Sequence, residues 1–214
     1  GNLEGSYEID TLRLLTVAFG MYGSNSKNYG DGFTTMYGAN HEDIAYSYRT
    51  GNHGDGSWYS INGNIDYQRT SRKNKQRMIT FSYKINTQPQ TSNSNTGYED
   101  IHAKEEVDDL VKRLLLKNSQ SDGKTNTMEQ TFQVDYTTPI GELHTVEAGA
   151  KYIFRRNTSD NKLYEAAGGS DDYLYNEDRS SDYRHLNHIL AAYLGYTLKY
   201  KDFTFKPGVR YEQT

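Results

Sequence analysis

Four carboxylates crowd one short stretch of the chain, Asp171, Asp172, Glu177 and Asp178, and such a cluster is where calcium chemistry would be sought. A calcium loop of the EF-hand kind needs alternating Asp or Asn ligands around a central glycine, which this stretch lacks, so a solvated loop is expected there. His185 and His188 are three apart. On a helix that spacing builds a metal site, whereas on a strand it sends the two rings to opposite faces. Carboxylate pairs such as Glu99 and Asp100 are plentiful, yet adjacency in sequence gives no separation in space. The chain has no cysteine, and no Gly-x-Ser-x-Gly elbow, phosphate-binding loop, His-Glu-x-x-His pair or dinucleotide fingerprint. The expectation is therefore not an enzyme, with no cofactor and no metal. What remains is aromatic: Trp58, Tyr98, Tyr173 and Tyr175 are candidate ligand-binding residues, because flat apolar rings stack on sugars. Trp58, where a polar segment rejoins a strand, also suits a membrane-interface anchor, and that is the first reading.

Such side chains need a scaffold, and composition limits which. The 214 residues include 24 Lys plus Arg against 28 Asp plus Glu, a net charge of -4 with no basic stripe, which argues against a nucleic-acid partner. Beside 19 Gly and only three Pro stand twenty Tyr, a residue that suits half-buried pleated surfaces, where a disordered chain would have few aromatics. The longest apolar run, Leu14 to Phe19, is broken by Thr16, far short of the ~20 residues of a spanning helix. Barrel strands need only ~9 to 11 residues of alternating polarity, so that route stays open.

Alternation with period two is clear at Tyr59 to Thr70, where Tyr59, Ile61, Gly63, Ile65 and Tyr67 oppose Ser60, Asn62, Asn64, Asp66 and Gln68. It recurs at Arg77 to Asn86, Met128 to Thr138, Thr145 to Phe154, Leu190 to Tyr200 and Phe203 to Tyr211, and more weakly around Leu15 to Met21. These are seven long strands. Short turns follow Tyr67, Tyr136 and Tyr200, while long connections cover about 24–57, 87–125 and 157–185. In an up-and-down meander that strict alternation places all short turns on one rim and all long loops on the other, as in outer-membrane barrels. A soluble sandwich shares the apolar periodicity but has no reason to segregate its loops. Tyr59 and Tyr67 lie eight residues apart on one face, or about 26 Å of strand, which suits aromatic girdles at the two edges of a ~25 Å lipid band.

Two loop features stay open. Ala103 to Leu116 carries apolar residues at helical spacing, while Asp122-Gly123 between polar runs reads as a hairpin turn. Ile44 to Arg49 suits a small hairpin arm. The fold class expected is all-β, an antiparallel up-and-down meander forming a segment of an outer-membrane β-barrel, over residues 1–214 as a single unit.

Several stretches resemble the TonB-dependent receptors and related outer-membrane β-barrel proteins of Bacteroidetes-type bacteria. They are LEGSYEIDTL at 3–12, NIDYQRT at 64–70, FQVDYTTPIG at 132–141, EAGAKYI at 147–153, AAYLGY at 191–196 and GVRYE at 208–212. The resemblance implies a barrel of about 22 strands, a plug domain, and energy drawn from an inner-membrane TonB complex. No plug, TonB-contacting box or aromatic terminal strand is present in these residues, so a middle segment of the barrel wall is expected. The function implied is nutrient binding and uptake in the outer membrane, with outer-membrane lipid as partner and an oligosaccharide, peptide or metal chelate as ligand. Alternatives are a soluble β-rich adhesin or carbohydrate-binding module, and a purely structural barrel. Strands with open edges are also expected to self-associate.

Overall fold

Alternating side chains without a second hydrophobic layer give one very long-stranded sheet. The computed structural model describes residues 1–39, 42–105 and 107–214. Ten strands run in chain order: β1 Asn2–Asp10, β2 Arg13–Tyr37, β3 Ile44–Thr70, β4 Met78–Ala103, β5 Lys117–Ile140, β6 His144–Ala167, β7 Leu174–Tyr175, β8 Ser181–Tyr200, β9 Phe203–Phe205 and β10 Gly208–Gln213. The main path is β1-β2-β3-β4-β5-β6-β8-β10, every pair antiparallel, with β7 on β6 and β9 on β8. No second sheet packs on it among the described residues, which removes the sandwich architecture. The sheet is open, since β1 and β10 do not pair with each other.

The expected strands are all present, but they extend much further than their side-chain pattern. The segments 24–57, 87–125 and 157–185, expected as long connections, are mostly ladder, and the connections shrink to 38–43, 104–116 and 168–180. The reason is physical. Backbone hydrogen bonds continue wherever two strands run on together, but once both faces meet water the apolar alternation stops, and periodicity no longer reports the strand. Ile44 to Arg49, expected as a separate arm, is the start of β3, paired along Phe33 to Tyr37 of β2. The strand β1 was missing from the expected set, and it pairs with β2 through Leu3↔Phe19 and Tyr7↔Leu15.

Asp122-Gly123 is not a turn. Both residues sit inside β5, with Gly123 opposite Ser92 on one side and Asn161 on the other. A Cβ at Gly123 would lie 2.9 Å from Asn161 Oδ1 and 3.2 Å from the Ser92 carbonyl, so the glycine serves close packing of neighbours and not chain reversal. The expected helix survives as a single turn, α1 Asp108–Leu110, continued by a π-turn over Val111–Leu115. Val111 and Leu116 are buried, whereas Leu110, Leu114 and Leu115 remain exposed, so only part of the apolar spacing found a surface to cover. Residues 40 and 41 of the first expected loop and 106 of the expected helix lie outside the described residues.

The reversals at 11–12, 71–77, 141–143 and 201–202, most of them short, share one end of the sheet, and the connections 38–43, 104–116 and 168–180 share the other. In barrels of this type the short-turn end is periplasmic.

Candidate functional site

The ladder register joins the apolar positions of separate strands into one continuous face. Across the sheet run the rows Tyr7, Leu15, Tyr67, Phe81, Val134, Ala150, Ala192, Tyr211 and Gly5, Val17, Ile65, Tyr83, Phe132, Tyr152, Leu190. These side chains stay open: Val17 is 44% exposed, Phe81 46% and Phe132 48%. The polar face is the occluded one, with Ser60 at 5% and Thr131 at 7%. A protein in water inverts that distribution, because leaving such an apolar area hydrated is unfavourable by roughly 25 cal/mol per Å².

Tyrosine hydroxyls mark the edges of the apolar band. Toward the long-connection end, Tyr59 donates to Asn25 Oδ1 at 3.2 Å, Tyr83 to Gln130 Oε1 at 3.2 Å, and Tyr152 meets His188 Nδ1 at 2.7 Å. Each partner lies one step further out along the strands. At the short-turn end Tyr196 instead points its hydroxyl back toward His144 Nδ1. Rings in the apolar band with hydroxyls directed out of it at both ends are the arrangement of interfacial tyrosines.

Across the polar face, side chains bond from strand to strand. Ser82 Oγ donates to Asp66 Oδ1 at 2.5 Å and Arg155 Nε to Glu129 Oε2 at 2.5 Å, while within β5 Gln133 Nε2 donates to Asp135 Oδ2 at 2.7 Å. Tyr193 reaches past a whole strand to donate to Asp135 Oδ1. It can do so because Gly149 of β6 lies directly between them in register, and a Cβ there would fall 2.4 Å from the Tyr193 ring. The side-chainless residue lets the ring lie flat on the backbone.

Further toward the long-connection end this face changes character. A cleft of about 250 Å³ opens there, lined by Tyr22, Trp58, Gln88, Gln90, Thr125 and Thr127 with no charged residue. Tyr22 and Trp58 meet edge to face, ring centroids 5.8 Å apart, and stay 55% and 45% exposed. The sequence-based reading of Trp58 as a lipid-interface anchor is corrected by its parity. It alternates with Tyr59 and shares the polar face with Ser60 and Asn62.

The model of the outer membrane protein beta-barrel family matches residues 69–214. The chain belongs to this family. As a member of the outer membrane beta-barrel family, it resides in the outer membrane, its open apolar face toward lipid and its polar face toward the barrel interior. The chain is also similar to a solved structure, the ferric citrate transporter FecA in its unliganded form, at 13% identity and a TM-score of 0.29. That likeness covers 99% of this chain and 37% of that one, and at this TM-score it carries no argument. No curated protein matches the chain.

The four aromatic candidates do not form one site in this family member. Tyr98 shares the interior face with Trp58 but sits eight residues further along β4 than Gln90, the partner of Trp58, or about 26 Å. It stands there with Tyr48 at 5.4 Å, which in turn stacks on Tyr46 at 6.2 Å. Tyr175 lies on the other face, against Tyr164 at 5.5 Å. Tyr173 is near it in sequence, its phenol pushed above the usual range by burial and then by the charge of Asp171. The four carboxylates Asp171, Asp172, Glu177 and Asp178 are all exposed, the neighbouring Glu165 takes Arg179 at 2.5 Å and Asn176 at 2.6 Å, and no metal-holding group occurs among the described residues. Sequence reading missed Tyr22, Gln88 and Gln90. Only the register places them beside Trp58.

Proposed function

We propose that this chain is part of the wall of a TonB-dependent outer-membrane receptor of the Bacteroidetes type, with no catalytic role of its own, and that the receptor takes up a neutral oligosaccharide. The observation that carries the substrate is the uncharged cleft at Trp58. An aromatic ring offers a stacking surface for the C–H face of a sugar, and two primary amides with two threonine hydroxyls offer donors and acceptors matched to sugar hydroxyls. An anionic metal chelate or a peptide terminus would call for fixed charges, and the cleft has none. Tyr46, Tyr48 and Tyr98, higher on the same face, supply a first platform on the way in. Tyr175 faces away from this path.

Trp58 is the chain's one tryptophan, so its own emission reports the site. The chain folded in a detergent without a sugar head group is titrated with maltohexaose, cellohexaose and chitohexaose, and in parallel with a tripeptide and an iron chelate. The expected result is a saturable emission change with at least one hexasaccharide, weakened about tenfold in Gln88→Ala or Gln90→Ala. A response to the peptide or chelate alone, or one indifferent to both glutamines, refutes the sugar reading.

A further inference from the structure

At the short-turn end, positive charge is concentrated in and beside the reversal that joins β3 to β4. Between positions 69 and 77 stand Arg69, Arg72, Lys73, Lys75 and Arg77 with no acidic residue, in a chain whose net charge is -4. The register brings Arg13 of β2 directly opposite Arg69 of β3, and Arg69 opposite Ile79 of β4. Four of these arginines, Arg13, Arg69, Arg72 and Arg77, line one cleft of about 630 Å³ together with Ile79 and Tyr136. Asp10 is the one acid lining it, and Arg13 already holds that carboxylate at 2.7 Å. Arg77 spends its Nε on Thr138 Oγ1 at 3.0 Å, and neither Arg69 nor Arg72 forms an ion pair with any described residue. Two like charges directly opposite on neighbouring strands are unfavourable unless something neutralises them. Just beyond them the same face becomes the lipid band, beginning at Tyr67, Phe81 and Tyr136.

The cleft therefore has cations at the level of head groups and apolar or aromatic walls at the level where acyl chains start. Guanidinium groups are suited to phosphate, binding two oxygens at once. We propose that Arg13, Arg69, Arg72 and Arg77 form a binding site for the phosphate of an anionic phospholipid in the periplasmic leaflet. The lipid neutralises Arg69 and Arg72, since Arg13 across the ladder is already held by Asp10, and fixes the height of the hairpin β3–β4 in the membrane.

The test uses the whole chain folded in neutral detergent, with short-chain phosphatidylglycerol, phosphatidylcholine and inorganic phosphate as the added probes. The thermal-unfolding midpoint gives an apparent dissociation constant for each. Phosphatidylglycerol is expected to raise the midpoint, phosphatidylcholine to do so weakly, and inorganic phosphate at equal concentration hardly at all. Arg69→Gln and Arg72→Gln are exposed substitutions, each expected to weaken the phosphatidylglycerol response about fivefold, whereas the Arg69→Lys and Arg72→Lys pair retains most of it. An equal response to phosphatidylcholine, or one unchanged in the double glutamine variant, overturns the proposal. A response to inorganic phosphate as strong as to the lipid overturns the lipid assignment. None of these outcomes depends on whether the cleft at Trp58 binds sugar.

Discussion

Single residues here act mainly by what they allow neighbours to reach. Gly149 lets Tyr193 cross to Asp135, and Gly123 admits Asn161 and Ser92, so glycine in these strands works as a contact and not as a turn. The first hairpin turn rests on Asp10, whose carboxylate accepts from Arg13 Nε at 2.8 Å and from the Leu12 amide at 2.9 Å. The Arg13 hydrogen bond, then the Leu12 amide, hold this carboxyl below the ordinary aspartate range. A folded pKa below the unfolded one means the contribution is fully present above the unfolded value of about 4 and disappears as pH falls through the folded pKa. We therefore expect the Asp10 carboxyl, followed by NMR, to titrate below a model aspartate, and Arg13→Gln to move it back up. An unchanged midpoint in that variant would refute the pairing.

At the scale of the strand, parity decides what a substitution does. Val134 and Gln133 are neighbours in β5, yet Val134 lies in the lipid row with Phe81 and Ala150 while Gln133 lies in the interior row with Ser82 and Lys151. Val134→Arg should cost about 2–4 kcal/mol near the bilayer midplane. Gln133→Arg, solvated in the interior, should cost under about 1 kcal/mol by the measure of ordinary surface changes. Reversible unfolding in lipid vesicles compares the two. Equal costs would count against the assignment of faces. Strand length is the second lesson at this scale. β3 runs 27 residues where a membrane needs ~9 to 11, so the hairpins stand well above the lipid and hold Tyr46, Tyr48 and Tyr98 there.

For the molecule as a whole, the open sheet has a consequence. β1 and β10 each present one unpaired row of backbone groups, and such edges recruit further strands. In the complete wall we propose that neighbouring strands satisfy them. Prepared alone in detergent, the chain should self-associate, and light scattering of the protein–detergent complex is expected to report more than one copy. A monodisperse monomer would mean the edges close on each other or are covered otherwise.

The sequence by itself determined that the chain is β, that it alternates, that its apolar positions fall on one face, and that its successive reversals alternate between the two ends of the sheet. All of these follow from local geometry, since successive side chains on a strand must point opposite ways. Segments such as NIDYQRT at 64–70 already carried the likeness to outer-membrane barrels. Tertiary structure alone decided how far the strands continue past the lipid band, because ladder hydrogen bonds leave no trace in side-chain polarity once both faces are wet. It also decided which distant residues meet. Trp58 was visible as an aromatic, but its place beside Tyr22, Gln88 and Gln90, and the opposition of Arg13 to Arg69, come from the register between strands, which is fixed by pairing across the sheet and not by any one strand's own pattern.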